Sequence, residues 1–545
     1  MAATYKEFKV PLSNMSFTPD VPSQALAPLE YNSGRNVETN VRGIQTVLGD
    51  ELILSSVPAG EFPIFVTAGY RSNQVYWYIV ATRNSSNHGR WYGITESGIT
   101  NITPGVGGNP SAYIAGYVEN ISITDSWNGT FLFINDGVQA PMYLTPEDTE
   151  FSLYDAAPDN YVWNYNPDWN NLTAAFMRLY ATPNVGSILI SGNFTADVIS
   201  TGLTQNFPYT VRWSQAFGID SGPTSWAPTL SNVANELEVP VRGPVVDGFP
   251  LNGNFYVMSY WDTVVFSPIS YQTSTAPILG VRLFNQGRGL LNENCWAAAD
   301  DVVFGVDARD IWVFNGNQFK AIGNQRVKDY FYSNLNALYQ DRTFMVNNTN
   351  KYQIEIYYSD LNSTGWPNQM LSYRYDLDVW NPPRAVSAAS HAAEGPKYEL
   401  LPDATQGFNP ASRTVVYSRA VAASQLVQKD VGNEFLGGTA INAEFRRDNI
   451  TLGVPYSAQT LVHRVLPEVS GTGNIQVEIG GANSVGAPIT FKTPVSMAIA
   501  TEYPWVQINQ NAFRVNSIRV SSNSTADDWT LTAVNWQFQP TEDAR

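Results

Sequence analysis

The sequence predicts an all-β protein, a β-propeller with loop insertions followed by a C-terminal β-sandwich, and three observations predict it. Aromatic residues make up 13% of the 545 residues and charged residues only 14%, with Gly, Pro, Asn, Ser and Thr abundant. Branched and aromatic side chains fill pleated surfaces while Gly, Asn and Pro supply turn dihedrals, so this mixture describes many short strands joined by tight turns. Second, one unit recurs along the chain: a short apolar strand, a polar turn and another apolar strand. Third, VVFGV from Val302 and DIWVF from Asp310 carry large side chains at successive positions. A sandwich strand with one wet face alternates; strands covered on both faces do not, and stacked propeller blades cover both faces of their inner strands.

The elements follow in order. Residues 1–45 are rich in Pro, Asn and Ser without a strong period, and read as an extended docking segment that lies on another surface. Hairpins then start at Gln74, Thr130, Arg178, Tyr256, Asp300, Arg342 and Leu371, each with Asn, Asp or Gly in its turn. Their spacing of roughly 30 to 80 residues is irregular beside a propeller period of roughly 40 to 50. Residues 46–430 therefore hold six or seven blades with insertions. In NQRVKDYFYSNLNALYQDR the residues Val327, Phe331, Leu335 and Leu338 fall at helical spacing, which predicts an amphipathic helix of about four turns near 325–341, covering a sheet edge. Over 431–545 the alternation is cleaner, with Ile475, Val477 and Ile479 set against Gln476 and Glu478, as in a separate sandwich with one wet face.

Length allows several domains and a sizeable core. A formal charge of −17 and a pI near 4.6 speak against a groove that neutralises phosphates. An acidic wall can still serve DNA by repelling its backbone. The single cysteine, Cys295 in NENCWAAA, excludes an intrachain disulfide and reads as a buried thiol. The first residues, MAATYKEFKVPLSNMSF, have no apolar h-region, and no run approaches the roughly 18 apolar residues of a membrane span. The expectation is a chain folded in cytoplasm, so sequons such as Asn101-Ile-Thr, Asn128-Gly-Thr and Asn193-Phe-Thr read as turn and strand-edge polarity.

Motifs of catalysis are missing. There is no G-x-S-x-G elbow, H-E-x-x-H, EF-hand loop or P-loop, and Gly287-Arg-Gly289 fails the dinucleotide pattern. His88, His391 and His463 lie in three different regions. The carboxylate pairs Asp307/Asp310 and Asp376/Asp378 sit in turns, where Asp caps backbone amides, rather than across a cleft as glycosidases require. No catalytic residue, metal site or cofactor is expected. What remains is a candidate interaction loop: Tyr161, Trp163, Tyr165 and Trp169 in DNYVWNYNPDWNNL, with Trp226 in SGPTSWAPTLSN. Aromatics in a loop stack on sugars or anchor a protein interface when exposed, and pack onto the blade beneath when not.

The order of parts carries a resemblance. A Pro/Asn-rich N-terminal strand precedes RLYAT, ILISG and VRWSQ; VVFGVDARDIWVFNGNQFKAIG and QRVKDYFYSNLN follow, and the chain closes with a sandwich that includes WTLTAVNWQFQ. This resembles the tail hub and nozzle proteins of short-tailed bacteriophages (podoviruses), the group that includes packaged-DNA stabilisation proteins. The resemblance implies a non-enzymatic propeller subunit of the virion tail, forming a hexameric ring below the portal and adaptor. Such a ring retains packaged DNA, carries fibres or spikes, and passes the genome during ejection without binding it specifically. The irregular blade spacing and the segment between Asn381 and Asp430 depart from it. The competing expectation is a receptor-directed propeller that binds or cleaves host surface polysaccharide.

Overall fold

The computed structural model describes residues 5–541 apart from 55–56, 70–75, 97, 106–120, 126–130, 146–147, 149, 156–160, 183–185, 219–220, 231, 270–278, 403, 422–424, 456–457, 485 and 501–504. Asn128 lies outside the described residues. Among the described residues, seven four-stranded antiparallel sheets follow one another over residues 61–101, 122–153, 169–238, 245–286, 296–321, 344–385 and 389–429, the last completed by residues 50–54, and in the first six the strands pair in chain order. We number these blades 1 to 7. Separate apolar clusters fill the joints between blades 1 and 2, 2 and 3, 3 and 4, 6 and 7, and 7 and 1, which is why inner strands are apolar on both faces. The chain is a seven-bladed β-propeller carrying a β-sandwich.

Blade 5 shows how the sequence builds such a sheet. Ile311–Phe314 pairs with Val302–Val306, setting Gly305 opposite Trp312. A Cβ on residue 305 would lie 2.2 Å from the Trp312 ring, so only glycine lets the indole lie flat across the neighbouring strand. Trp312 is fully buried. The turn is held by Asp307, whose Oδ1 accepts from the amides of Arg309 and Asp310 at 2.7 and 2.8 Å.

Blade 7 is built from two distant parts of the chain. Its fourth strand is Asp50–Leu54, which pairs with Gln425–Lys429 and sets Leu52 opposite Val427. Residue 52 thus closes a ring whose other six blades are each continuous in sequence. The two hairpins starting at Arg342 and Leu371 both belong to blade 6, and the hairpin of blade 7, Ala389–Leu400 with Gln406–Arg419, is one the sequence reading passes over.

A buried ionic network locks this closure. Arg384, on the outer strand of blade 6, binds Asp50 at 2.5 Å and Asp430 at 2.9 Å. Lys429 bonds Glu355 and Asp430, each at 2.7 Å, and Lys351 bonds Glu38 and Asp430 at 3.0 and 2.9 Å. Four carboxylates face three cations, and Arg384 and Lys429 are almost wholly out of water. Burial raises a carboxyl's pKa, but at Asp430 the three surrounding cations outweigh it and hold the group well below its usual range. At Asp50 burial outweighs Arg384 and the Tyr417 hydroxyl, and the pKa is raised.

The described part of the segment 1–45 docks within this same chain. Lys6–Pro11, Val37–Thr39 and Ile44–Thr46 enter one six-stranded sheet with Gln459–Thr472, Val506–Phe513 and Asp528–Thr541. Ser33–Arg35 enters the facing six-stranded sheet beside Ala443–Ile450. The sandwich therefore combines residues 6–46 with 443–541, and the propeller starts at Asp50 rather than at 46. Asn36 ties the two bodies, donating its N–H to Pro383 O and accepting from Ala385 N at 2.9 and 2.8 Å.

The helix near 325–341 is shorter than its apolar spacing suggests. It spans Lys328–Asn334, about two turns, and buries Val327, Phe331 and Leu335. Asp20, far away in sequence, caps its first amides, accepting from Asp329 N and Tyr330 N at 2.8 Å. It ends because Leu335 turns extended and the Asn336 side chain captures the Leu338 amide at 3.1 Å, leaving Leu338 81% exposed. Asn193 sits in a bulge of blade 3 at φ 58°, its amide donated to Val245 O at 3.0 Å.

Candidate functional site: the mouth of the propeller axis

Innermost strands carry charged side chains where the sequence offers only apolar company. Arg178 in RLYAT, on blade 3, and Asp247 in VVDGF, on blade 4, form a bidentate pair at 3.0 and 2.6 Å. Trp296 of blade 5 donates its indole N–H to Asp247 at 2.7 Å, and its ring lies 5.2 Å from the guanidinium carbon. Asn294, at φ 60°, accepts from Arg178 at 3.2 Å and donates to Ile121 O at 3.0 Å; Asn tolerates this left-handed backbone. Arg178 also donates to Ile123 O at 3.1 Å. One network thus joins the inner strands of blades 2 to 5, and this part of the axis is packed with side chains.

Above it opens a cavity of about 410 Å³. Its walls come from where inner strands begin and from turns on the same face: Phe65 of blade 1, Tyr260 of blade 4, residues 291–294 before blade 5, 340–344 leading into blade 6, Trp366, and Ser390 and His391 of blade 7. His391 is stacked between Phe65 at 4.1 Å and Phe344 at 5.1 Å, with Nδ1 2.9 Å from Val66 O. A carbonyl only accepts, so Nδ1 carries the proton and Nε2 is left as an acceptor. Burial, reinforced by the Arg178 charge, depresses the imidazole to about 4. Trp366 carries two guanidinium groups, Arg342 at 4.3 Å and Arg83 at 5.2 Å from its centroid. Cys295 is buried just beneath, its thiol pushed up by burial and donated to Thr343 O at 3.1 Å.

The five aromatics singled out in the sequence lie elsewhere, and they do not form an open display. Trp163 and Trp226 are fully buried and meet edge to face at 4.7 Å. Tyr161, Tyr165 and Trp169 are half-buried against the same cluster, between blades 2 and 3. Their role follows from blade 3, whose first three strands run 14, 13 and 11 residues. Trp163 donates to Leu172 O at 2.8 Å and packs on Phe194, Trp169 packs on Phe207, and Arg212 lies over the Tyr165 and Phe194 rings. The loop braces the long strands of this blade. Polar Asn neighbours made it look exposed; they serve local turns instead, as when Asn164 accepts from Asn166 N at 3.3 Å.

Nothing in the sequence brings the axial residues together, since Arg178, Asp247 and the Asn294/Trp296 pair come from three different blades. The one available signal is a charge within an apolar strand, at Arg178 and Asp247, because burial without a partner is too costly. Among the described residues no group of three or more His, Cys, Asp or Glu is arranged to hold a metal ion, and no helix is long and apolar enough to cross a membrane.

No family model and no curated protein matches the chain. Among solved structures it is similar to U3-55K, at 6% identity and a TM-score of 0.40, over 70% of this chain and 98% of that one. The RRP9 WD40 repeats match at 6% identity and 0.39, over 71% and 99%. Saccharomyces cerevisiae Sqt1 matches at 8% and 0.34, over 71% and 100%. The propeller rests on the sheet topology, to which likenesses this distant add nothing.

Proposed function

We propose that the chain is a structural, non-enzymatic subunit of a podovirus tail, assembled in the host cytoplasm into a hexameric hub or nozzle below the portal and adaptor. The observation that carries this reading is where the resembling stretches fall. RLYAT, ILISG and VRWSQ fall in blade 3, residues 302–323 hold the last three strands of blade 5, residues 325–336 contain the helix, and WTLTAVNWQFQ lies in the final strand of the sandwich. Apart from Arg178, which belongs to the axial network, these stretches are framework, and none of them lines the axial cavity. A resemblance carried by strands and the helix rather than by the cavity lining suits a protein whose work is assembly. The packed axis adds a constraint: DNA would pass through a lumen enclosed by several copies, not through one propeller. There the acidic balance of −17 keeps the backbone from being gripped.

The test is assembly. Purified chain, alone and mixed with portal and adaptor rings, is analysed by sedimentation and electron microscopy, with fibre or spike proteins added last. A sixfold ring stacked on the adaptor is expected, and a chain that stays monomeric in every mixture would falsify the reading. The polysaccharide-directed alternative has less support, since Trp163 and Trp226 are buried and the Trp366 ring is already taken by two guanidinium groups.

A further inference from the structure

The geometry points to a self-catalysed cross-link: an amide bond between the side chains of Lys429 and Asn348, formed with loss of ammonia and with Glu355 moving the protons. It holds whether or not the chain is a ring subunit. Lys429 Nζ lies 2.7 Å from Glu355 Oε1, and Asn348 donates its Nδ2 to that same oxygen at 2.8 Å. Asp430 Oδ2 is a second shared acceptor, 2.7 Å from Nζ and 3.4 Å from Nδ2. The two nitrogens are held by the same pair of oxygens, which lays the amine against the carboxamide. Both neighbours are carboxylates and only accept, so the Asn348 side chain turns its nitrogen to them. Asn348, Glu355 and Lys429 are all buried. They continue, at two-residue spacing, the strand faces of Val346, Tyr357 and Val427 in the apolar joint between blades 6 and 7. An ion pair asks only for an amine and an acid; the third member here is an electrophile, set where bulk water cannot compete.

The chemistry balances without a cofactor. Lys429 Nζ passes a proton to Glu355 Oε1, and its freed lone pair attacks Asn348 Cγ, forming the Nζ–Cγ bond as the carbonyl π pair moves onto Oδ1. Glu355 gives its proton to Nδ2 and takes another from Nζ. The pair on Oδ1 returns, the Cγ–Nδ2 bond breaks, and ammonia leaves, carrying off the proton from Glu355 as ammonium. One oxygen touching both the nitrogen that attacks and the nitrogen that departs is what this relay requires. Tyr357 donates its hydroxyl to Oε2 at 2.7 Å and so fixes the carboxyl with Oε1 toward the pair. Asp430 favours an ammonium at Nζ, but its charge is shared: Oδ1 already binds Lys351 and Arg384 at 2.9 Å each. Away from water, a neutral amine beside a neutral acid replaces two costly buried charges. Strands of two blades fix the partners in advance, so little entropy is left to lose. The product bolts blade 6 to the strand that receives Asp50.

The experiment is intact-mass spectrometry of the purified full chain after incubation in the folded state, followed by proteolysis. The mass is expected to fall by one ammonia per chain, with a single branched peptide joining residues 348 and 429. Glu355→Gln keeps the shape but cannot relay protons, and Asn348→Ala lacks the electrophile; each should retain its full mass and give no branched peptide. Near-ultraviolet circular dichroism reports the fold of each. Should both misfold, Tyr357→Phe is a milder change that should slow the loss of ammonia several-fold. Asn347→Ala, next in sequence and outside the triad, should cross-link like the unsubstituted chain. The proposal is overturned if the folded chain keeps its full mass, if ammonia is lost without a branched peptide, as in cyclisation at Asn252-Gly253 or Asn315-Gly316, or if folded Glu355→Gln cross-links at the unsubstituted rate.

Discussion

Blades 5 and 7 do the same architectural job with opposite chemistry. Blade 5 is one uninterrupted meander of short strands whose centre is an indole lying across a glycine. Blade 7 borrows its outer strand from residues 50–54 and is held where that strand arrives by Asp50, Arg384, Asp430 and Lys429. Where neighbours in sequence are neighbours in space, apolar packing suffices, because the local chain already specifies which strands meet. Where a strand comes from hundreds of residues away, hydrophobicity alone would accept many partners, and a buried ionic match selects one.

The comparison can be broken most sharply at Arg384. Arg384→Met keeps much of the volume but leaves Asp50 and Asp430 facing a neutral side chain, so we expect a loss of roughly 3–5 kcal/mol in chemical denaturation at neutral pH. Since burial already raises the Asp50 pKa, protonation should shrink this deficit as the pH is lowered. A deficit independent of pH would mean that packing, not charge, closes the ring. Trp312→Ala in blade 5 is expected to cost roughly 3–5 kcal/mol through the cavity it leaves. Its cost should be indifferent to pH and salt, and a salt-dependent loss would erase the contrast.

Smaller effects refine it. Gly305→Ala forces a methyl into the Trp312 ring and should cost about 1–3 kcal/mol, seen as a lower melting temperature. His391, in the first strand of blade 7, tests the acid side. Its imidazole is depressed to about 4 while the unfolded chain titrates near 6.5, so between these values the unfolded state binds more protons. Stability is therefore complete above pH 6.5 and is lost on acidification toward 4. The ring edge meets the cavity, so the expected loss is on the order of 2 kcal/mol, short of the full linkage value. Melting curves of His391→Phe should lack that component, and identical pH profiles for the two proteins would sink the assignment. At the lower end, Leu338→Ser on the exposed turn after the helix should stay within about 0.5 kcal/mol.

The same contrast explains what was legible in the sequence. Blade 5 could be read because its strands are apolar on both faces and its turn residues stand in place. Blade 7 could not: ASHAAEGPKYEL is rich in small and polar residues, and no local pattern announces that DELIL completes its sheet. The sandwich was legible in its C-terminal part through alternation at Ile475, Val477 and Ile479, whereas its N-terminal strands are only 3 to 6 residues long. The aromatic loop misled because composition reports polarity and not direction; Trp163 points inward among asparagines. The axial cavity was invisible, since it exists only once the blades are arranged in a circle.

Strand Asp50–Leu54 is also a clock. During synthesis it is made before any blade, yet its partner Gln425–Lys429 follows more than 370 residues later. At roughly 5–20 residues per second the early strand waits on the order of 20 seconds or more with an edge unpaired. Residues 6–11 wait longer still for Asp528–Thr541. Blades 1 to 6 can stack as they emerge, but the ring locks only near the end of translation, so the nascent chain carries an open propeller with two adhesive strands at its leading end. Copies made on one messenger could exchange these strands between neighbours, and the ionic match at Asp50, formed late, is what rewards each chain for closing on itself.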